Sequence, residues 1–304
     1  MKDDGPGNRL GSYLRARREL VSPARAGLPP GGNRRVPGLR REEVALLAGI
    51  SPDYYLRLER GRDRNPSAQV LESLARVLHL DDDERTYLLG LTAARPRTAR
   101  RKRPEHVPAR VHQLLAHLTV PAFVEGRAFD VLAANPLAVA LSPRLRPGLN
   151  RLRSLLLDPE ERAFHQDWAG ATADFVAALR ATVGDDTDDP RFVELVGELA
   201  LASPRFRTLW ARHDVRPLGG GSTTVHHPLV GELRLHRDKL PVDDVILVVY
   251  YPDKDSASDE KLRLLAALTC TGPADPVPDG AVDGPAGPVN GPAGPVDGPL
   301  PRTP

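Results

Sequence analysis

Apolar residues recur at helical spacing in two short runs along residues 39–61, LRREEVALLAGISPDYYLRLERG, with Gly49 between the runs. The first run places apolar side chains opposite a charged face; they are Leu39, Val44, Leu47 and Ala48. In the second run Tyr55 and Leu58 are three residues apart and are expected to face inward. The pattern predicts two short amphipathic helices joined by a tight turn.

The residues of the turn favour a helix-turn-helix. Gly49 tolerates the positive φ of a helix end, Ser51 can cap the following helix, and Pro52 suits its first position. The small side chain of Ala45, together with Gly49, lets two helices approach closely at a crossing angle of roughly 90–120°. The alternative is an ordinary helical hairpin with a solvated charged face.

The exposed face of the second helix supplies candidates for contact with nucleic acid. A helix-turn-helix presents the start of its second helix to base edges in the major groove of DNA. With Tyr55 and Leu58 turned inward, that face contains the predicted base-reading residues Pro52, Asp53, Tyr54 and Arg57. Ser51, at the same helix start, belongs to this predicted interface.

Helical patterns on both sides extend the module to residues 9–94. A first helix begins near Leu10, and residues 67–78 place Val70, Leu71, Leu74, Val77 and Leu78 on one stripe. Residues 21–38 cannot be helical, because they contain four prolines and four glycines. The arginines of this loop, Arg25, Arg34 and Arg35, allow a second contact with the DNA backbone; a passive surface loop explains the composition equally well.

Charge is divided unevenly along the chain. Residues 1–104 contain 22 Lys and Arg against 13 Asp and Glu, a net charge of +9, whereas the remaining 200 residues have 20 against 27, or −7. A basic module attracts a polyanion with strongly salt-dependent affinity. The basic run RPRTARRKRP, residues 95–104, reads as a linker. One cysteine and no long apolar run predict a cytoplasmic protein without an internal disulfide or membrane contact.

From residue 105 to 271 the pattern is mixed. Two short strands, PAFVEG and AFDVLAAN, precede helices that start at Asp158-Pro159, Asp189-Pro190 and Ser203-Pro204. The first of these helices is expected to continue to Val183. The run VILVVYY, residues 245–251, is apolar on both faces and is expected to be the central strand. This order predicts an α+β PAS-like domain with helices on one face of the sheet, followed by a disordered Gly- and Pro-rich tail, residues 272–304.

The segment GLRREEVALLAGISPDYYLRLERGRDRNPSAQVLESLARVLHLDDDERTYLLGL resembles the repressor-type helix-turn-helix of the Xre family, in particular MmyB-like regulators. The resemblance implies that Arg41 and Arg62 contact phosphates and that Pro52, Asp53 and Arg57 read bases. It extends to PAFVEGRAFDVLAAN, LLLDPEERAFHQDW and HHPLVGELRL, which are similar to that family's ligand-binding domain. A fatty-acid-like effector is therefore implied. Ala134 departs from the family's common Trp before the Asn of the second strand, so the pocket is expected to be wider there.

Eight residues are candidates for binding this effector. The apolar and polar members are Phe123, Phe129, Asn135, Phe175, Trp210 and Tyr250. Arg212 and His213 could donate hydrogen bonds to a ligand carboxylate, or could form surface ion pairs.

Together these features predict a sequence-specific transcription regulator that binds double-stranded operator DNA as a homodimer and responds to a fatty-acid-like molecule. No metal site, cofactor or catalytic residues are expected, since neither HExxH, GxSxG nor a P-loop is present. Two alternatives remain: an enzyme acting on a small acyl compound through residues 105–271, and an interaction adaptor that does not bind DNA.

Overall fold

The computed structural model describes residues 8–29, 36–92, 105–183 and 189–270. Arg34, Arg35, the predicted linker and the predicted tail lie outside the described residues. The first part of the chain forms five helices, α1 to α5, over Arg9–Leu20, Arg41–Ala48, Pro52–Glu59, Ala68–Val77 and Asp82–Gly90. Among the described residues, no helix is both long and apolar enough to cross a membrane.

The five helices enclose one hydrophobic core. Tyr13 and Leu14 of α1 and Tyr55 and Leu58 of α3 are fully buried in it. The predicted stripe of α4 is confirmed, with Leu74 fully buried. The predicted inward position of Leu47 in α2 is wrong, since 39% of this residue is exposed. The buried stripe of that helix runs instead through Val44, Ala45 and Ala48, which are spaced one and three residues apart.

The second part of the chain contains a five-stranded antiparallel sheet. Its strands, β1 to β5, are Ala122–Glu125, Val131–Ala134, Gly221–His227, Gly231–Val242 and Val245–Tyr251. Their spatial order is β2-β1-β5-β4-β3, so β5 is central, as its two apolar faces predicted. Phe123 pairs with Val248, which pairs in turn with Lys239. Because side chains alternate along a strand, Glu125 shares the face of Phe123.

Helices cover both faces of this sheet, which corrects the prediction of helices on one face. Helix α6, Ala109–His117, packs Val111 and Leu115 against Val124 and Leu247. The opposite face, with Phe123 and Val248, is covered by α7, Pro136–Leu141, and α13, Ala257–Cys270. A central strand that is apolar on both sides requires cover on both sides.

The remaining helices, α8 to α12, are Arg151–Leu157, Pro159–Phe164, Trp168–Val183, Pro190–Ala202 and Pro204–Ala211. Helix α8 was not predicted. The single helix predicted from Pro159 to Val183 is two helices, because the chain bridges to β3 between them: His165 pairs with Val225, and the Gln166 amide donates to the Thr224 carbonyl at 3.1 Å.

The predicted helix starts are confirmed. Asp158 accepts a hydrogen bond from the amide of Glu160 at 2.8 Å, and Asp189 accepts one from the amide of Arg191 at 2.9 Å. Ser203 caps α12 in the same way. In each case a proline occupies the first helical position, where its missing N–H is no loss.

Candidate functional site

The turn between α2 and α3 has the geometry that its residues predict. Gly49 has a φ of 71°, in the left-handed region that favours glycine. The Ile50 amide donates to the Ala45 carbonyl at 3.0 Å, which closes the end of α2. The Ser51 hydroxyl accepts from the Tyr54 amide at 3.2 Å and caps α3. This turn sets the start of α3 at the surface.

The outer face of α3 is accessible to solvent. Pro52, Asp53 and Arg57 are exposed and Tyr54 is half-buried. The Arg57 guanidinium lies 5.4 Å from the centre of the Tyr54 ring, a contact that holds the cation against the helix surface. The structure therefore brings four predicted base-reading residues onto one accessible surface. Arg62, just beyond α3, is also exposed.

Arg41 is positioned by a buried carboxylate. Glu59, whose side chain is 2% exposed, accepts from Arg18 Nε at 2.6 Å and from Arg41 Nε at 2.5 Å. Arg18 is buried and also donates to the Leu39 carbonyl at 2.8 Å. Since these groups come from α1, α2 and α3, the Glu59 network fixes the three helices together. Arg41 itself keeps 43% of its side chain exposed and can still contact a phosphate.

The second domain contains a partly open pocket of about 40 Å³ between the sheet and the helices on its Phe123 face. Its apolar wall consists of Leu141, Leu145, Leu155, Phe164, Phe175, Val225 and Leu235. Its polar lining includes Arg151, Glu161, His165 and Tyr250. Arg144 and Ser154 line both this pocket and an open cleft of about 460 Å³, so the two spaces adjoin at those residues.

A buried charge cluster borders the pocket. The Glu125 side chain is fully buried and bonds to Arg151 Nη1 at 2.6 Å and to Lys239 Nζ. Arg151 Nη2 donates to the Tyr250 hydroxyl at 3.0 Å. Arg151 lies 4.9 Å from the Phe175 ring centre, and Lys239 lies 5.9 Å from it. Two cations therefore share one carboxylate.

The cluster shifts the ionisation of its members. Burial raises the pKa of Glu125, but the charges of Arg151 and Lys239 outweigh burial and hold this pKa below its ordinary value. Burial lowers the pKa of Lys239 to about 8, although Glu125 opposes the change. Glu125 stays ionised because two opposite charges lie beside it. Lys239 loses its proton more easily because it is buried and has Arg151 as a like-charged neighbour, while Glu125 is its one opposite charge in the cluster.

The two domains touch through α1 and the segment after α12. Arg17 of α1 bonds to Asp214 at 3.2 Å and to Glu84 at 2.7 Å. The rings of Tyr13 and His213 have centres 6.5 Å apart. Val215 is buried in the core of the helical domain. We call these residues, Tyr13, Arg17, Glu84, His213, Asp214 and Val215, the domain contact.

Two family descriptions match the chain. A helix-turn-helix domain matches residues 9–88, and the ligand binding domain of MmyB-like transcription regulators matches residues 107–265, more than half of the 304 residues. The chain belongs to the MmyB-like transcription regulators. A comparison with curated proteins found no match. The protein is thus a regulator with a DNA-binding helix-turn-helix and a domain for a small-molecule effector.

In this MmyB-like regulator the predicted effector residues separate into four groups. Phe175 and Tyr250 line the pocket. Phe123 stacks on Tyr250 with ring centres 6.2 Å apart, and Phe129 packs on Phe175 at 5.1 Å, so both lie directly behind the lining. Asn135 is buried as the cap of α7, where it accepts from the amides of Ala122 and Ala138 at 3.1 and 2.9 Å.

The other three predicted residues are not among those that line the pocket. Arg212 is exposed and pairs with Asp214 at 2.9 Å. His213 and Trp210 contact Arg180, whose guanidinium carbon is 3.9 Å from the Trp210 ring centre. The C-terminal end of α12 points toward the helical domain, and this places the three residues at or beside the domain contact. Ala134 is not among the lining residues either, but it packs against the apolar cluster that includes Leu141, Leu145 and Tyr250, so the wider pocket at this position stays a prediction.

Sequence reasoning missed the charged residues that border the pocket of this MmyB-like regulator. Glu125, Arg151 and Lys239 come from β1, α8 and β4, and their proximity depends on strand register and on the packing of α8. One local signal existed: Glu125 follows directly after the apolar run PAFV in a strand that is buried throughout. A charge in such a strand needs a partner elsewhere in the fold.

Proposed function

We propose that this regulator reads operator DNA through the exposed face of α3 and binds an elongated apolar effector, of the fatty-acid type, in the pocket beside Arg151. The observation that supports the DNA half is the accessibility of Pro52, Asp53, Tyr54 and Arg57 on one helix start. Pro52 has no polar side-chain atoms, so its contact would be apolar, for example with a thymine methyl.

Replacing Arg57 by Ala is expected to weaken binding to the preferred operator by about 1–3 kcal/mol and to change binding to random duplex little. Arg57 lies on the predicted base-reading surface, and loss of a base contact weakens binding only to the sequence that is read. Loss of a phosphate contact would weaken binding to both duplexes alike. The operator would first be selected from a random library with the purified protein. Fluorescence anisotropy on the selected and the random duplex then measures both affinities.

Arg62→Ala is the matched control for Arg57→Ala, because Arg62 is a predicted phosphate contact and is exposed. It should weaken both duplexes to a similar degree and flatten the salt dependence. Arg41→Ala is less suitable, since Arg41 also bonds to Glu59. An unchanged preference for the operator in Arg57→Ala would show that another surface reads the sequence.

A homodimer on DNA completes this proposal. One helical module of this size buries roughly 600–1,000 Å² on DNA, which is small for a tight specific site. Two modules on half-sites about one helical turn apart would supply the rest. The selected operator should therefore contain two related half-sites, and sedimentation of the complex should give two chains per duplex. A single half-site with one chain would contradict the dimer.

For the effector, the supporting observation is the pocket with leucine and aromatic walls. Its volume of about 40 Å³ has room for roughly three water molecules, so a long alkyl chain fits only if the walls separate. The walls meet at Arg144, which pairs with Asp158 at 2.5 Å and Glu160 at 3.0 Å. Separation at Arg144 would join the pocket to the adjoining cleft. Effector binding is therefore expected to move α8 or α9.

Helix α10 connects the pocket to the domain contact. Phe175 in its middle lines the pocket, while Ala181 near its end packs against the core of the helical domain. A shift of α10 on effector binding would alter the domain contact and the placement of the DNA-reading helices. A tenfold change in operator affinity requires about 1.4 kcal/mol of coupling.

Titration with n-alkanoates of increasing length tests the effector. We expect at least one to raise the melting temperature of the second domain and to change operator affinity about tenfold or more. The variant Asp214→Asn, which loses an ion pair of the domain contact, should bind the same alkanoate but show a smaller change in operator affinity.

The matched control is Asp174→Asn, which removes an ion pair with Arg216 inside the second domain, 3.3 Å long and exposed. It should leave the coupling intact. If no alkanoate raises the melting temperature, the effector is not of this class. If one binds without affecting DNA affinity, the domain is a lipid-binding scaffold.

A further inference from the structure

Arg151 has hydrogen-bond donors that the protein does not use. Its Nη1 bonds to Glu125 and its Nη2 to Tyr250, and among the described residues no other hydrogen bond reaches the guanidinium. A guanidinium has five N–H donors, so three remain. The rings of Phe123 and Phe175, with centres 4.8 and 4.9 Å from the guanidinium carbon, lie within cation–π distance. Since Arg151 lines the pocket, these donors are available to a ligand there.

Two cations lie against the single carboxylate of Glu125. Arg151, Lys239 and Glu125 together carry a net charge of +1 when all three are ionised, in a region where water does not screen them. The other buried acid of the pocket, Glu161, bonds to Ser142 at 2.6 Å and to His165 at 3.3 Å, and it also interacts with the charge of Arg151. Glu161 therefore offsets part of the positive charge without a hydrogen bond to Arg151, and the unused donors of Arg151 are the feature that favours an anion.

The remaining pocket wall determines what else the ligand must be. Leu141, Leu145, Phe164 and Leu235 offer no charge to a ligand and suit an alkyl body. We propose that the Arg151 guanidinium binds the carboxylate of a monocarboxylate effector, with the alkyl part against these leucine and phenylalanine side chains. This inference rests on the proposed effector and adds the residue that anchors it.

The arginines of the neighbouring cleft are weaker candidates, because water reaches their side chains. Arg144 pairs with Asp158 and Glu160, and Arg153 pairs with Glu198 at 2.8 Å. Arg191 pairs with Asp130 and with Glu194. The side chains of Arg144, Arg153 and Arg191 are 36–59% exposed, against 8% for Arg151, so water would screen an incoming carboxylate more strongly in the cleft than at Arg151.

The test compares Arg151→Met with Arg153→Met, a change of the same kind two residues along α8. Arg151→Met leaves Glu125 paired with Lys239, so a neutral buried pair remains and folding is preserved. Butanoate, octanoate and dodecanoate, each with its methyl ester, are titrated by calorimetry. Arg151→Met should weaken carboxylate binding about 10- to 100-fold and leave ester binding within a few fold. Arg153→Met should leave both unchanged.

A second variant, Lys239→Met, guards against misfolding of Arg151→Met. It keeps the Glu125–Arg151 pair and removes one positive charge near Arg151, so carboxylate binding should weaken while ester binding does not. Equal carboxylate affinity in the wild type and both variants would overturn the Arg151 site. Loss in Arg153→Met alone would place the carboxylate in the cleft.

The methyl esters distinguish a failure of this inference from a failure of the proposed apolar effector. If the wild-type protein binds an ester but no carboxylate, the result supports an apolar effector and overturns the anion site. Protein that binds neither would overturn both.

Discussion

Replacing Glu125 by Gln is expected to lower the free energy of unfolding of the second domain by about 3–5 kcal/mol. The Glu125 side chain is fully buried and is the carboxylate that Arg151 and Lys239 share. The amide of Gln has nearly the same shape but no charge, so two buried cations would face each other without a counterion. Urea unfolding followed by tryptophan fluorescence reports on this domain alone, because both tryptophans, Trp168 and Trp210, lie in it.

Lys239→Met is the control for Glu125→Gln. The substitution leaves a neutral pair of Glu125 and Arg151. The aliphatic side chain of Met can occupy the space of Lys239 beside Phe129 and Phe175. Replacing part of a buried ionic network by an apolar residue is often neutral. We expect a change within about 1 kcal/mol. Equal destabilisation by the two substitutions would mean that packing, and not charge, accounts for the effect.

The pH dependence of stability gives a second measurement of the same cluster. Lys239 has a pKa of about 8 in the folded protein and 10.5 ordinarily. Between these values the unfolded chain binds more protons, so the contribution of Lys239 to stability rises with pH across that window. From pH 7.5 to 9.5 the wild type should gain about 2 kcal/mol relative to Lys239→Met. Parallel curves for the two proteins would contradict the lowered pKa.

Replacing Glu59 by Gln is expected to destabilise the helix-turn-helix domain by about 3–5 kcal/mol. Arg18 is buried and would lose the carboxylate that it contacts at 2.6 Å. Arg41 would lose its positioning partner, so DNA affinity should fall as well. Hydrogen exchange of the amides in α1, α2 and α3 measures this domain within the full chain.

Glu72→Gln makes the same chemical change at a surface ion pair. Glu72 bonds to Arg85 at 2.7 Å through both carboxylate oxygens, but both side chains are exposed. Exposed pairs contribute little to stability, and we expect a much smaller effect than that of Glu59→Gln. Similar loss of protection in the two variants would show that burial does not set the strength of the Glu59 network.

Local signals in the sequence determined where most elements begin. Ser51-Pro52, Asp189-Pro190 and Ser203-Pro204 each cap a helix as predicted, because capping depends on side-chain and backbone atoms only a few residues apart. The turn at Gly49 and the exposed face of α3 followed for the same reason. The central position of β5 also followed, since a strand that is apolar on both faces must be covered on both.

Only the tertiary structure decided the pocket beside Arg151. Glu125 and Lys239 are 114 residues apart in the chain, and their pairing depends on sheet register and on α8, which no local pattern predicted. The break between α9 and α10 also arises from a long-range bridge, between His165 and Val225, that overrides a continuous helical pattern. Arg212 and His213 were predicted at the ligand because their chemistry suits a carboxylate. The packing of α12 instead directs them toward the helical domain, and Arg151 lines the pocket in their place.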